Sequence, residues 1–265
     1  MDNNLALKTT FNTAAERYHA RRPNYPPELF DKLVAETHLH EHAELLEIGP
    51  GTGQATKPFA ERGYNITAIE LGDALAAKAR EVLADYSNVD VITGAFEDVE
   101  LPSEHYDLVY SATAIHWIKP GLKFAKPHQL LKPGGYLAII HTEHVSDELV
   151  DKFFHATWPI YRKYEQTDTP TQIPGFELPK LKELQPPEKI DETLFSLQSF
   201  AVFPMALSYS SQEYIELLAT YSPHLSLPPE KRADFLGEIK ALIDKEFGGR
   251  MDKHYGMTLT VARKI

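Results

Sequence analysis

The chain has 265 residues, 43% of them hydrophobic, no cysteine and a net charge of −11. That length admits one large α/β domain, or a domain of about 150 residues with a sizeable addition. Disulfides and thiolate zinc sites are excluded, and the acidic balance argues against nucleic acid or an anionic membrane as main partner. Met1-Asp2-Asn3-Asn4 opens no apolar secretory segment, and no run of about 18 apolar residues exists, so a cytoplasmic location and no membrane span are expected.

The predicted elements begin with a short helix over 5–20, leading to a proline-punctuated loop, Arg21-Arg22-Pro23-Asn24-Tyr25-Pro26. Pro27 suits the first turn of a helix over 27–37. Strand 44–48 precedes helix 53–62, and strand 65–70 precedes helix 73–85. Strand 89–93 leads to Gly94, and strand 106–110 leads to a loop holding His116 and Trp117. A helix over 121–131 ends at Lys132-Pro133-Gly134-Gly135, and strand 136–141 follows. Five strand-then-helix repeats of this length predict a parallel sheet with helices on both faces. Residues 147–195 are helical, aromatic and interrupted by prolines, and read as a cap rather than an independent domain. A strand over 200–208, helices near 211–219 and 229–246, and a final strand over 255–262 complete the chain.

Residues 45–53, Leu-Leu-Glu-Ile-Gly-Pro-Gly-Thr-Gly, carry the most chemistry. Leu45, Leu46 and Ile48 end a buried strand, and Gly49, Gly51 and Gly53 then alternate before a helix. Glycine lets the backbone approach a ligand and tolerates positive φ, while a helix N-terminus behind the turn offers unpaired N–H groups. The spacing is G-x-G-x-G, not the G-x-G-x-x-G of dinucleotide sites. It also follows an acid, Glu47, which would repel a pyrophosphate but welcome an ammonium and a sulfonium.

On these residues the sequence resembles the class I S-adenosylmethionine-dependent methyltransferases. Glu70 resembles the acid that holds the two ribose hydroxyls in that family, with Leu71 beside it. Gly94-Ala95-Phe96-Glu97 is similar to the segment lining the adenine. Tyr106-Asp107-Leu108-Val109 through Ser111 to His116-Trp117 resembles the fourth-strand motif, and Leu130 to Gly135 the turn before the fifth strand. Ala15, Tyr18, Arg22-Pro23 and Tyr25-Pro26 are similar to the small-molecule branch that includes trans-aconitate methyltransferase-like and type 11 enzymes. Many relatives carry Asp where Ala95 stands, so adenine recognition would here rest on the backbone around Phe96 and on apolar contact.

The resemblance implies one domain over 1–265, a doubly wound, mostly parallel seven-stranded Rossmann-like sheet with an antiparallel C-terminal strand. Residues 1–40 would form a helical lid, 43–145 the cofactor core, 147–195 the cap, and 196–265 the completing strands and helices. It implies S-adenosyl-L-methionine as cofactor, held by Glu47, Gly49, Pro50, Gly51, Thr52, Gly53, Glu70, Leu71, Ala95, Phe96, Glu97 and Ser111. The reaction would move a methyl group to an O, N or carboxylate acceptor on a small molecule. An NAD(P)-dependent reductase and a catalytically silent cofactor-binding protein are the alternatives.

Methyl transfer from a sulfonium mainly needs the reacting atoms held in line, and a base only where the acceptor must lose a proton. His116 is the first candidate base; its other reading is a packing role with Trp117. His141 and Glu143 come second, and Tyr18 could close on the cofactor. Arg21 and Arg22 could clamp a substrate carboxylate or be solvated surface charge. Trp117 and Trp158 are candidate substrate contacts, the latter with Phe154 and Tyr161 at i, i+4, i+7 on one helix face. His38-x-His40-x-His42 resembles a metal cluster, but it precedes the first strand and lacks suitable partners, so no metal is expected.

Overall fold

Apolar residues at both faces of successive strands dictate a sheet covered on two sides, and a computed structural model describing residues 15–164 and 177–265 has that form. The strands are β1 (Glu44–Ile48), β2 (Asn65–Glu70), β3 (Val89–Thr93), β4 (Tyr106–Ala112), β5 (Leu131–His144), β6 (Phe195–Ser210) and β7 (Arg250–Lys264). They form one seven-stranded sheet in the order β3-β2-β1-β4-β5-β7-β6. Pairing is parallel from β3 through β5, with the C-terminal strands antiparallel. The chain reverses its direction of winding between β1 and β4, so the carboxyl end of β1 is the topological switch point where such sheets bind ligands.

The helices are α1 (Ala15–Arg21), α2 (Pro27–Thr37), α3 (Thr56–Ala60), α4 (Asp73–Val82), α5 (Pro120–Lys123), α6 (Ala125–Leu130), α7 (Glu148–Lys163), α8 (Ser211–Leu218), α9 (Ser222–Leu225) and α10 (Pro229–Glu246). Residues 5–14 of the expected first helix and 165–176 of the expected cap lie outside the described residues. The helix expected over 121–131 is two helices. Pro127 has no N–H to return to the carbonyl of residue 123, and the chain breaks at Phe124. Strand β5 starts five residues early: Leu131 already pairs with Tyr106, and the Lys132–Gly135 turn lies inside the ladder as a register shift before Leu108 pairs with Tyr136.

The described chain separates into two compact units. The sheet unit comprises Asn24–Thr142, Gln185–Phe203 and Met257–Ile265. Its core joins Leu46, Ile48, Ile69, Val109, Leu137 and Ile139 with Phe195 and Ala262. The companion unit takes residues up to Pro23, Glu143–Leu184 and Pro204–Gly256, so the expected 147–195 cap is divided: α7 shares a core with α8 and α10, while Ile190 and Phe195 belong to the sheet core. There α7 buries Val150, Phe153, Thr157, Tyr161 and Tyr164, a helical stripe at i, i+3, i+7, i+11, i+14. This stripe shares Tyr161 with the expected Phe154–Trp158–Tyr161 face, and Phe154 packs against the same core. Phe154 and Trp158 are only half-buried, at its margin. No described helix is long and apolar enough to cross a membrane.

Candidate functional site

The glycine turn after β1 has the conformation its sequence requires. Gly49, Gly51 and Gly53 all take positive φ, at 70°, 61° and 92°, where a side chain is strained. A Cβ on Gly49 would stand 2.5 Å from the Ala114 Cβ, so the turn after β1 and the loop after β4 touch through a hydrogen-sized gap. The Gly49 N–H donates to Ile69 O (2.9 Å) and the Ser111 hydroxyl donates to Ile48 O (2.9 Å), which ties the turn to β2 and β4. Ser111 is fully buried. Helix α3 begins at Thr56, not 53, because Gly53 at φ 92° is not helical. A five-residue helix aligns few peptide dipoles, so the turn's own backbone makes the cradle.

Two carboxylates flank the turn. Glu47 is fully buried; its Oε2 accepts from Thr56 Oγ1 (2.5 Å) and Tyr110 OH (2.8 Å), while its Oε1 has no hydrogen-bond partner. Burial pushes its pKa up to about 7, against the hydrogen bonds from Thr56 and Tyr110 and with a smaller push from Glu70. Glu70, at the end of β2, accepts from Gly51 N–H (2.9 Å) and Gly72 N–H (2.8 Å), and burial raises it to about 6. A buried carboxylate oxygen left without a donor is costly. A cationic or hydroxyl-bearing ligand in the cradle would relieve it. The residues therefore fit a ligand with an ammonium and vicinal hydroxyls, and fit a pyrophosphate poorly.

The remaining cofactor candidates divide by what their side chains touch. Pro50 and Thr52 are buried in the turn, the Thr52 hydroxyl donating to Gln54 Oε1 (3.0 Å). Leu71, Ala95 and Glu97 are half-buried around the ends of β2 and β3, and Glu97 Oε1 accepts from Lys119 N–H (3.3 Å). Phe96 is different: its ring is 3% exposed and packed with Leu46, Ile48 and Ile118. Its ring belongs to the core beneath the loop. Lys126, which carried no signal in the sequence, fixes the same loop by donating to the carbonyls of Phe96 (2.7 Å), Glu97 (3.2 Å) and Val99 (2.7 Å).

Beyond β4 the structure brings His116, Trp117 and His141 together. The turn Ile115–Trp117 exposes His116, whose ring centroid lies 4.9 Å from Trp117 and 5.8 Å from His141 on β5. Thr113 precedes them at φ 57°, rare for a β-branched residue, held by Ile140 O on its N–H (2.8 Å) and by the Tyr25 hydroxyl (3.1 Å). Neither Thr113 nor Tyr25 was singled out as a site residue; they meet across 88 positions, which no local pattern reveals.

Other candidates lie in the companion unit. Tyr18 lies under the Arg22 guanidinium (4.9 Å), which also covers Tyr221 (4.2 Å) and donates to Thr220 through Nε (3.0 Å) and Nη2 (3.2 Å). Arg21 pairs with Glu216 (2.7 Å) and Glu213 (3.1 Å). The ion pairs engage Arg21 within this unit, and Arg22, half-buried, donates to Thr220 through Nε and Nη2. Trp158 packs on His155 (4.6 Å) and lines a cavity of about 260 Å³ with Asp151, Glu177 and Lys180. Glu143 also belongs to this unit. At the other end of the sheet, His40 lies 3.6 Å from Asp107, itself paired with Lys132 (2.7 Å). No group of three or more metal-ligating side chains is found among the described residues.

Residues 46–139 match a family described as "Methyltransferase domain". The chain is 30% identical over 138 residues to the uncharacterized methyltransferase Rv3342 of Mycobacterium tuberculosis, covering 51% of this chain and 52% of that protein. The match thus spans about half the length of that relative. It is 25% identical to the uncharacterized methyltransferase C25B8.09 of Schizosaccharomyces pombe, covering 88% of this chain and 87% of the other. Among solved structures, a putative type II methyltransferase from Anaeromyxobacter dehalogenans superimposes with a TM-score of 0.63 at 20% identity, covering 91% and 97% of the two chains. That likeness establishes the fold.

Proposed function

Because residues 46–139 carry a methyltransferase domain of the class I fold, we propose that the chain binds S-adenosyl-L-methionine in the turn after β1 and methylates a small molecule. The observation that carries the reading is the pair of buried carboxylates beside the glycine turn, one with an orphaned oxygen. Glu47 Oε1, without a partner in the fold, would accept from the amino group of the methionine moiety. Glu70, its carboxylate already aimed by the N–H groups of Gly51 and Gly72, would take the ribose hydroxyls. The Gly94–Glu97 loop, clamped by Lys126, would present its backbone to the adenine.

When bound, the cofactor supplies a methyl group on a sulfonium, a good electrophile with a neutral leaving group. The chain's part is to position the acceptor and exclude water. His116, exposed at the carboxyl end of β4 and flanked by His141, is the group we assign to take a proton from a hydroxyl or amine acceptor. A carboxylate acceptor would leave it idle.

Calorimetric titration with S-adenosylhomocysteine, NADH and NADPH in parallel tests the cofactor. Micromolar binding of the first alone is expected; binding of a nicotinamide cofactor instead would overturn the reading. Glu70→Ala should weaken S-adenosylhomocysteine binding by about 1.5–3 kcal/mol, the range for hydrogen bonds to a charged group. An unchanged dissociation constant would place the ribose elsewhere. Tight binding without turnover on any carboxylate, phenol or amine would favour a silent binding protein.

A further inference from the structure

The companion unit contains a buried ionisable group that the methyl-transfer reading does not use. Strand β7 alternates, burying Met251, Lys253 and Tyr255 on one face while Asp252 faces water. A lysine thus occupies a position where the strand's period calls for an apolar side chain. It is 1% exposed, and its Nζ has no hydrogen-bond partner. The ammonium lies 4.3 Å from the centre of the Phe154 ring and 5.9 Å from that of Tyr214. The carboxylate felt there, Asp147, is committed to His254 and to the Val150 N–H at the start of α7. Burial brings the lysine pKa down to about 7 despite Asp147. An unpaired buried ammonium is costly, and a break with local pattern of this kind is expected where a site has a function.

Lys253 lines a cavity of about 190 Å³. Phe154, Tyr161, Tyr214 and Tyr221 supply aromatic walls, Leu217 and Leu218 an aliphatic floor, and no lining residue is acidic. His224, another wall, is held neutral near pH 7: burial first, then the Arg22 charge, pull its pKa down to about 4. A dry cavity of about 150 Å³ holds benzene, so this one has room for a single ring with a short charged head. A ring would find edge and face partners in the walls. A single anionic group would give Lys253 the partner it lacks.

We propose that this cavity binds a small aromatic monocarboxylic acid, its carboxylate ion-paired with Lys253 and its ring among Phe154, Tyr161 and Tyr214. The site lies wholly within the companion unit and does not depend on the identity of the cofactor.

The test titrates the intact protein, without cofactor, with benzoate, phenylacetate and cinnamate, and with the matching neutral amides. Saturable binding of at least one acid, about tenfold or more tighter than its amide, is expected. Lys253→Met keeps an unbranched side chain one atom shorter and removes the charge; it should abolish the preference for the acid while leaving amide binding within about twofold. If that variant does not fold, the acid should still shift the NMR signals of the Lys253 ε-methylene in the wild-type protein, and the amide should not. Saturation by none of the acids, equal binding of acid and amide, or an unmoved Lys253 signal would each overturn the proposal.

Discussion

Glu47, the residue proposed to hold the cofactor's amino group, also carries a cost to stability. Its carboxyl is pushed up from 4.5 to about 7 by burial. Between those values the folded chain keeps a proton that the unfolded chain has released, so stability falls as pH rises through this window. At about 1.4 kcal/mol per pH unit, the loss from Glu47 amounts to about 3 kcal/mol between pH 4.5 and 7 and then levels off. Glu70, raised to about 6, adds a smaller fall over the lower part of the window. Glu47→Gln keeps an acceptor for Thr56 and Tyr110 but cannot ionise, so the slope of unfolding free energy against pH should shrink, as read by denaturant titrations at several pH values. An unaltered slope would mean that Glu47 is ionised in the folded protein. At Gly49 the constraint is steric. Gly49→Ala meets Ala114 at 2.5 Å with φ at 70°, and overpacking of this kind costs about 1–3 kcal/mol. A lowered melting temperature together with lost cofactor binding is the expected outcome, and wild-type values for both would show that the two loops part easily.

The elements near β1 were legible in the sequence because their information is local. Strands 44–48, 65–70 and 89–93 have the bounds that their apolar runs and glycine punctuation predict. Glu47 and the three glycines lie in one short stretch, and the positive φ of those glycines follows from their local pattern. Legibility fails where a partner is distant. Strand β6 runs from Phe195 to Ser210, longer than its 200–208 core, because pairing with β7 and not apolar content holds its ends. Helix α9 is four residues long and left no periodic trace. Lys126, Thr113 and Lys253 act on groups that only the fold brings near, and the buried stripe of α7 takes in Phe153 beside the expected Tyr161, with Phe154 at its margin. That stripe gives a prediction for α7 and α10. Phe235 of α10 is fully buried against Tyr161 (4.9 Å) and Tyr164 (5.8 Å) of α7. Phe235→Ala should cost about 3–5 kcal/mol in chemical denaturation. A loss below about 1 kcal/mol would mean that the two helices close over the gap.

Across the whole molecule the excess of 38 acidic over 27 basic residues creates a negative field that acts on any ligand before it reaches the cradle. S-adenosylmethionine carries a net positive charge through its sulfonium, while S-adenosylhomocysteine is neutral overall. The two share every contact proposed for Glu47, Glu70 and the Gly94–Glu97 loop, so their difference isolates the charge. Long-range attraction is screened as the Debye length falls from about 30 Å at 0.01 M salt to about 3 Å at 1 M, whereas attraction to a buried carboxylate is screened far less. If the surface field contributes, the dissociation constant of S-adenosylmethionine should rise by about three- to tenfold over that range, on the order of 1 kcal/mol, while that of S-adenosylhomocysteine stays within about twofold. If instead both constants hold steady and S-adenosylmethionine still binds more tightly, the charge preference resides in Glu47 and Glu70 alone. In that case Glu47→Gln should reduce it and Glu47→Gln with Glu70→Gln should erase it, and the net charge of −11 would matter to solubility but not to cofactor capture.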